Sequence, residues 1–360
     1  MLLFVTSLLK FLLRRLPMQN KIKYFSAFMS ASVGFEFAEQ LGFECVLGNE
    51  LNPTRAKWSQ EKFPNAEVVQ GSFTDPQIFS HLVRRFKEEG CRLATFSPNC
   101  QPYSKAGKQH LHSTEAFLFL YIIKFIKLTM AENAWIENAL EFKDAVLDDD
   151  PRTVEQRIRD ELEPLGYHIE VKIQDAAGFK TPQHRRRTIF LISRIGVWQH
   201  PIECDEKDYV TVRQAIDHLP SVEAGKRSSI PFHNGPYLPA CQIPYIHNYT
   251  KSSDRIPFVS TKGIPCKKLK PQYVACCIDP DKPANTIVQD SDSITGFRAC
   301  HYRDKRCLTV LEIMLLTGLS ENWFIPLWAR NDEQLIRHVL GECFAPLHVK
   351  ALLETMPCGN

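Results

Sequence analysis

The chain has 360 residues and a mass of 41.4 kDa, enough for two domains or for one large domain with an insert. It is 44% hydrophobic and 24% charged, which excludes a disordered chain, and 16 Gly exclude collagen-like and glycine-linker architectures. A formal charge of +3 is too near neutral to identify a polyanionic partner, and the 12 Cys, none in a Cys-x-x-Cys pair, make neither a disulfide scaffold nor a zinc ligand set.

Residues 1–16, MLLFVTSLLKFLLRRL, are apolar, but too short and interrupted for a membrane span, and Arg14-Arg15 follow the apolar run instead of preceding it. Residues 1–17 read as a dispensable extension with Met18 as an alternative start. An amphipathic membrane-surface helix is the competing reading. From Lys21 to about Gly196 short apolar runs alternate with helical patterns. The pattern predicts strands at Tyr24–Met29, Cys45–Leu47, Glu67–Gln70, Leu93–Phe96, Ala134–Ile136, His168–Ile173 and Thr188–Ser193. Between them it predicts helices at Phe35–Leu41 (closed by Gly42), Pro53–Lys62, Pro76–Glu89, Ala116–Met130 and Val154–Leu165. This alternation argues for an α/β fold with a doubly wound, mostly parallel sheet, whose ligands sit at the strands' carboxyl ends. Residues 197–303 break the rhythm, with short strand-like pieces at Tyr209–Val212 and Thr286–Val288, and read as a second, smaller irregular domain. Helical periodicity returns at Leu308–Leu316, Asp332–Leu340 and Pro346–Met356. The expected division is therefore 18–196, 197–303 and a 304–360 segment that rejoins the first domain.

Three segments carry chemistry. Ser97-Pro98-Asn99-Cys100-Gln101-Pro102-Tyr103-Ser104 follows a strand, so Cys100 stands at its carboxyl end. Alone, such a Cys is more often structural than nucleophilic. Trp135-Ile136-Glu137-Asn138 puts a carboxylate at the end of the next strand, where an acid is commonly a helix cap. In this topology the two strand ends converge on one crevice. Thr181-Pro182-Gln183-His184-Arg185-Arg186-Arg187-Thr188 opens a later strand, and strand alternation points Arg185 and Arg187 to one face and Arg186 to the other.

In this order, Cys loop, Glu-Asn and Gln-x-Arg-x-Arg, the chain resembles the DNA (cytosine-5) methyltransferase family from about residue 22 to its end. The resemblance includes Phe28-Met29-Ser30-Ala31-Ser32-Val33-Gly34-Phe35, Asn49-Glu50, Asp175-Ala176-Ala177-Gly178-Phe179, Arg306-Cys307-Leu308-Thr309 with Glu312 and Gly318, and Gly341-Glu342-Cys343-Phe344-Ala345-Pro346. It implies a Rossmann-like, S-adenosyl-L-methionine (SAM) dependent fold with a target-recognition domain at 197–303. It implies a Cys100 thiolate that adds to C6 of a flipped cytosine and makes C5 nucleophilic. Glu137 would hold or protonate N3, Asn138 would orient the loop, Arg187 would contact O2 and Arg185 would steady the pocket. Phe28, Met29, Ser30, Ser32 and Gly34 would approach SAM. Glu50 would accept from its ribose, beside Leu51, with Ser72 and Glu342 completing the set. Residues from Tyr103 to about Ser113 would close over the base. His110 and His112 lie there, but without a third ligand no metal is expected. The implied partner is duplex DNA, bound by a monomer, without metal or membrane. The compartment would be cytoplasmic, at the nucleoid in a prokaryote, or nuclear in a eukaryote, and a restriction-modification role is in scope. Phosphate contacts are expected from Thr261–Lys270 and base readout from Thr286–Arg303.

The sequence departs from the family pattern in several places. Ala31 and Val33 replace glycines of a Gly-x-Gly-Gly, and Asn99 replaces the Pro before the nucleophile. Ser72 stands for an adenine-reading Asp, Glu342 for an Asn, and Glu115 falls near a usual Arg. Two alternatives follow. One is a transfer-RNA cytosine-5 methyltransferase, disfavoured because Ala275-Cys276-Cys277-Ile278 replaces the Cys-Phe-Thr of that branch. The other is a catalytically inactive DNA-binding homologue.

Overall fold

The computed structural model describes residues 21–104, 111–147, 149–238, 276–292 and 299–359. The expected extension 1–17, most of the Thr261–Lys270 region's surroundings and that region itself, and positions 105–110 of the expected closing loop lie outside them.

The first strand, β1 (Ile22–Ala27), pairs in parallel with β2 (Phe43–Glu50) on one side and β4 (Leu93–Phe96) on the other. The chain lays β3 (Glu67–Gln70) outside β2, returns to β4, and continues outward to β5 (Asn133–Asn138). A small hairpin, β6 (Val146–Leu147) with β7 (Asp150–Thr153), follows. β8 (His168–Asp175) and β9 (Arg186–Ser193) complete a seven-stranded sheet in the order β3-β2-β1-β4-β5-β9-β8. Winding reverses between β1 and β4, so the ligand crevice lies beyond Ala27 and Phe96. β9 runs antiparallel to both neighbours. Its beginning, not its end, therefore lies at the carboxyl edge of β5.

Local chemistry sets the helix starts. Asn52 and Asp75 cap α1 (Pro53–Lys62) and α2 (Pro76–Glu88), each with Pro in the first turn. Capping boxes open α4 (Val154–Leu162) at Thr153 and α5 (Val212–Ile216) at Thr211. α3 (Leu118–Thr129) is apolar nearly all round, and its Phe125 meets the rings of Phe25, Phe73, Phe79, Phe86 and Phe96 between 4.8 and 6.0 Å. That aromatic cluster fills the space between one sheet face and α2–α3. A second cluster joins α5, α6 (Val310–Leu316) and α7 (Glu333–Glu342) to Trp58 of α1. The last helix, α8 (Pro346–Glu354), packs on the other sheet face beside Trp135 and Trp198.

Some elements differ from expectation. Phe35–Leu41 is not an α-helix but two 3-10 turns, Val33–Phe35 and Glu39–Leu41, although Gly42 does close it with φ 82°. Tyr209–Val212 is not a strand: it ends a 3-10 turn and enters α5, because Thr211 and Gln214 make a capping box. Thr286–Val288 joins no ladder. Ile287 N donates to Gln183 Oε1 at 2.9 Å, and Thr286 Oγ1 donates to the His184 carbonyl at 2.7 Å, so this stretch is bonded to the Gln-x-Arg-x-Arg segment instead of to a strand.

Candidate active site

The carboxyl edges of β4 and β5 and the opening of β9 bring the three predicted motifs together. The Cys100 carbonyl accepts the backbone N–H groups of Tyr103 and Ser104 at 3.1 and 3.0 Å, which makes a tight turn after the thiol. Asn99 Oδ1 accepts the Gln101 N–H at 3.1 Å. An Asx-turn thus stiffens the position where a proline ring would otherwise do so. Asn138 Nδ2 donates to the Pro98 carbonyl at 3.2 Å, tying the end of β5 to the Cys loop.

Glu137 is buried, and its Oε1 receives Arg187 Nε at 2.7 Å. The pairing follows from register. Asn138 faces Thr188 across the β5–β9 ladder, so Arg187 lies just past the end of β5. Arg185 is buried and donates to the carbonyls of Ile287 (3.1 Å) and Gly341 (3.0 Å), whereas Arg186 faces solvent. Burial pushes the Arg185 guanidinium down to about 10, with Arg187 adding to the effect, so it stays charged at neutral pH. Burial raises the Cys100 thiol above its ordinary value. Arg187 and Arg185 pull it back and Glu137 opposes them, so all three charges act on one sulfur.

The β1–α1 loop forms the adjoining wall. Phe28, Ser30 and Ser32 have φ of 56°, 47° and 56°, a left-handed backbone that costs a non-glycine residue about 1–2 kcal/mol. The positions that demand left-handed backbone are Phe28, Ser30 and Ser32, not Ala31 and Val33, whose side chains are buried in the second core cluster.

Glu50, at the end of β2, is 9% exposed, with Oε2 accepting Ser30 N–H at 2.7 Å and Oε1 accepting Asn52 N–H at 2.8 Å. Burial raises its carboxyl, and those two N–H groups oppose the rise. Of about four acceptor positions on a carboxylate, two remain for outside donors. Leu51 beside it is 65% exposed, an apolar surface at the mouth of the crevice. A buried acceptor and an exposed apolar face match the ribose hydroxyls and purine of a nucleoside, so these residues fit SAM.

Other expected cofactor residues turn their side chains inward. Met29 packs over Gly48, where a Cβ would come within 2.3 Å of its sulfur. Gly34 backs onto the Phe344 carbonyl and Val349, so its lack of a side chain serves the docking of α8. Phe28 lies edge-on to Phe73 at 5.1 Å, and Ser72 Oγ pairs with Thr74 Oγ1 at 2.9 Å. Glu342 Oε1 takes Arg55 Nε at 2.5 Å and the Ser30 hydroxyl, and its Oε2 takes Gln289 Nε2 at 2.8 Å. Arg55, Ser59, Lys62 and Gln289 were not expected from the sequence. The signal for the first three was present, since positions 55, 59 and 62 recur at helical spacing on α1.

Within Thr286–Arg303, Ile287, Ser291, Cys300 and His301 are buried, which leaves Gln289, Asp290 and Asp292 among the exposed described residues there. Among the described residues no group of His, Cys, Asp and Glu could hold a metal ion, and no helix is long and apolar enough to cross a membrane.

Comparison with known proteins gives the family and supports the fold. The family profile described as C-5 cytosine-specific DNA methylase matches residues 21–358. Type II methyltransferase M1.HgaI of Avibacterium volantium is 33% identical over 355 residues, covering 92% of this chain and 97% of that protein. Type II methyltransferase M1.HphI of Haemophilus parahaemolyticus is 26% identical, covering 93% and 86%. A solved E. coli prophage-encoded protein, assigned as a DNA modification methyltransferase, superposes with a TM-score of 0.69 at 13% identity over 93% of this chain and 98% of its own, which supports the fold. The chain belongs to the C-5 cytosine-specific DNA methylases and is a DNA cytosine-5 methyltransferase.

Proposed function

We propose that the protein methylates a flipped cytosine in a specific duplex sequence through a covalent Cys100–C6 adduct, with SAM as the methyl donor. The observation that carries this reading is the convergence of Cys100, Glu137, Arg185 and Arg187 at the switch-point edge, with all three charged groups acting on the thiol. The thiol gives its proton to water and its sulfur bonds to C6 as the C5–C6 π bond opens, which raises electron density at C5. Glu137 donates to or holds N3, so charge leaves the ring as the sulfur adds. Arg187, already paired with Glu137, also faces O2, and Arg185 holds the pocket between Ile287 and Gly341. Asn138 keeps the Cys loop against β5. SAM, when bound at the Phe28–Ser32 loop with its ribose on Glu50, supplies an electrophilic methyl group. Loss of the C5 proton then expels Cys100 and restores the double bond. The chain acts on DNA as a monomer without metal, and residues 197–303 select the target.

The test is a duplex carrying 5-fluorocytosine at candidate targets, incubated with protein and SAM. A denaturation-resistant adduct that disappears in Cys100→Ala supports the mechanism. Adduct-free folded protein that binds both SAM and DNA would overturn it in favour of a binding-only homologue. A parallel arm with transfer RNA separates the RNA-directed alternative.

A further inference from the structure

One face of α1 grips the left-handed loop at three consecutive turns. Arg55 Nε and Nη2 bind Glu342 at 2.5 and 3.2 Å, and the same carboxylate accepts the Ser30 hydroxyl. Ser59 Oγ is 2.7 Å from the Ser30 carbonyl, to which it donates, and 2.7 Å from Ser32 Oγ. Lys62 Nζ donates to the Ser32 carbonyl at 3.0 Å and to Glu36 at 2.9 Å. Ser59 and Ser32 are buried, and the Lys62 side chain is 8% exposed. Both residues between Phe28 and Val33 that hold left-handed backbone, Ser30 and Ser32, are thus bonded through carbonyl and hydroxyl alike to one helix or to the carboxylate it holds. Buried bonds of this kind are strong because no water competes for them. Beside this face, Trp58 of α1 stacks on Trp323 at 5.5 Å and shares the second core cluster with Ala31 and Val33 of the loop.

We propose that Arg55, Ser59 and Lys62 are positioning residues for the methyl donor. They enforce on serines a backbone geometry that glycine would adopt unaided. Through the Ser30 N–H bond to Glu50 they also fix the acceptor for the ribose. The α1 clamp thus holds left-handed backbone at two serines. The inference rests on the reading that this loop holds SAM.

The test is calorimetric binding of SAM and of its demethylated product to the full chain, with melting temperature and DNA affinity measured alongside. Ser59→Ala should weaken SAM binding about tenfold or more, as expected for losing two buried hydrogen bonds. KM for SAM should rise far more than kcat at saturating SAM falls, and DNA affinity should change less than twofold. Adding Ser30→Gly and Ser32→Gly to Ser59→Ala should recover most of the SAM affinity although two hydroxyls are gone. A general structural role for Ser59 predicts no such recovery. Arg55→Lys, on the more exposed end of the clamp, gives the same reading if Ser59→Ala does not fold. Parent-like SAM binding by Ser59→Ala or Arg55→Lys, or no recovery with the glycines, would overturn the clamp. If the parent chain itself binds no SAM, the cofactor reading fails, a result distinct from a parent that binds and variants that do not differ.

Discussion

The two walls of the crevice keep their geometry by opposite means. On the catalytic side the sheet does the work: β4, β5 and β9 each end or begin at one edge, and the ladder register sets Arg187 beside Glu137. On the cofactor side the loop leaves the sheet and adopts an unfavourable backbone, so side chains from α1 and α7 must hold it. Geometry set by strand register survives substitution of neighbours. Geometry set by a polar network fails one bond at a time, and this is where the family's glycines are missing.

The largest effects should come from splitting the two walls. Cys100→Ala should abolish the fluorocytosine adduct and leave calorimetric SAM binding near parent, whereas Glu50→Ala should weaken SAM binding and leave DNA affinity near parent. If both variants lose both properties, the walls are not independent. Glu137→Gln should lower kcat by about 10²–10⁴-fold, the span of a lost general acid, measured with SAM and duplex saturating.

Acidity probes the catalytic wall further. Because burial holds the Cys100 thiol above its ordinary value, the enzyme at neutral pH carries mainly thiol. Adduct formation should therefore rise up to about tenfold per pH unit from neutral toward alkaline pH, as the thiolate population grows. Arg187→Leu removes a charge that lowers the thiol's pKa, so its profile should move to higher pH. An unmoved profile would place the titrating group elsewhere.

Three histidines should set acid stability. Burial holds His200 and His301 down to about 4 and His348 to about 3, below the ordinary 6.5. These groups are neutral when folded and take up protons when unfolded. Their contribution is complete above about pH 6.5 and is lost as pH falls toward about 4, at up to about 1.4 kcal/mol per pH unit for each. Denaturant melts at pH 7, 6 and 5 should follow that fall. His348→Gln should flatten it.

The smallest effect is a control for strain. Met130 ends α3 with φ 53° and is 36% exposed. Met130→Gly should stabilise by about 0.5–1 kcal/mol in a denaturant melt and leave SAM binding unchanged. Relief at Ser30 or Ser32 should instead register in SAM affinity when the clamp is broken.

Much of the sheet was legible because its strands are short runs with apolar centres, fully buried at Leu93–Phe96 and half-buried at the sheet edge at Glu67–Gln70. Leu93–Phe96 and Glu67–Gln70 were read with the bounds the structure gives them, as was the helix Pro53–Lys62. The nearness of Cys100 and Glu137 was legible because strand order implies that neighbouring carboxyl ends meet, whereas the place of Arg185 and Arg187 rested on the family resemblance. Tyr209–Val212 was misread because its β-branched residues outweighed a capping box that only Thr211 and Gln214 together reveal. Thr286–Val288 looked like a strand because extended apolar chain has one pattern whether it joins a ladder or binds Gln183 and Arg185.

The sequence alone determined most of the strands and the meeting of Cys100 and Glu137, since alternating apolar runs and helices imply a sheet whose neighbouring carboxyl ends converge; strand order and the antiparallel β9 decided the switch point and the pairing of Arg187 with Glu137. Tertiary structure alone decided how a loop poor in glycine keeps a left-handed backbone. That answer depends on Arg55, Ser59, Lys62 and Glu342, up to 312 residues from Ser30 in the chain. Helical spacing puts Arg55, Ser59 and Lys62 on one side of α1, but nothing periodic in the sequence ties that side to Ser30, Ser32 or Glu342. The scarcity of glycine is therefore answered by side chains, at the one loop where backbone conformation matters most.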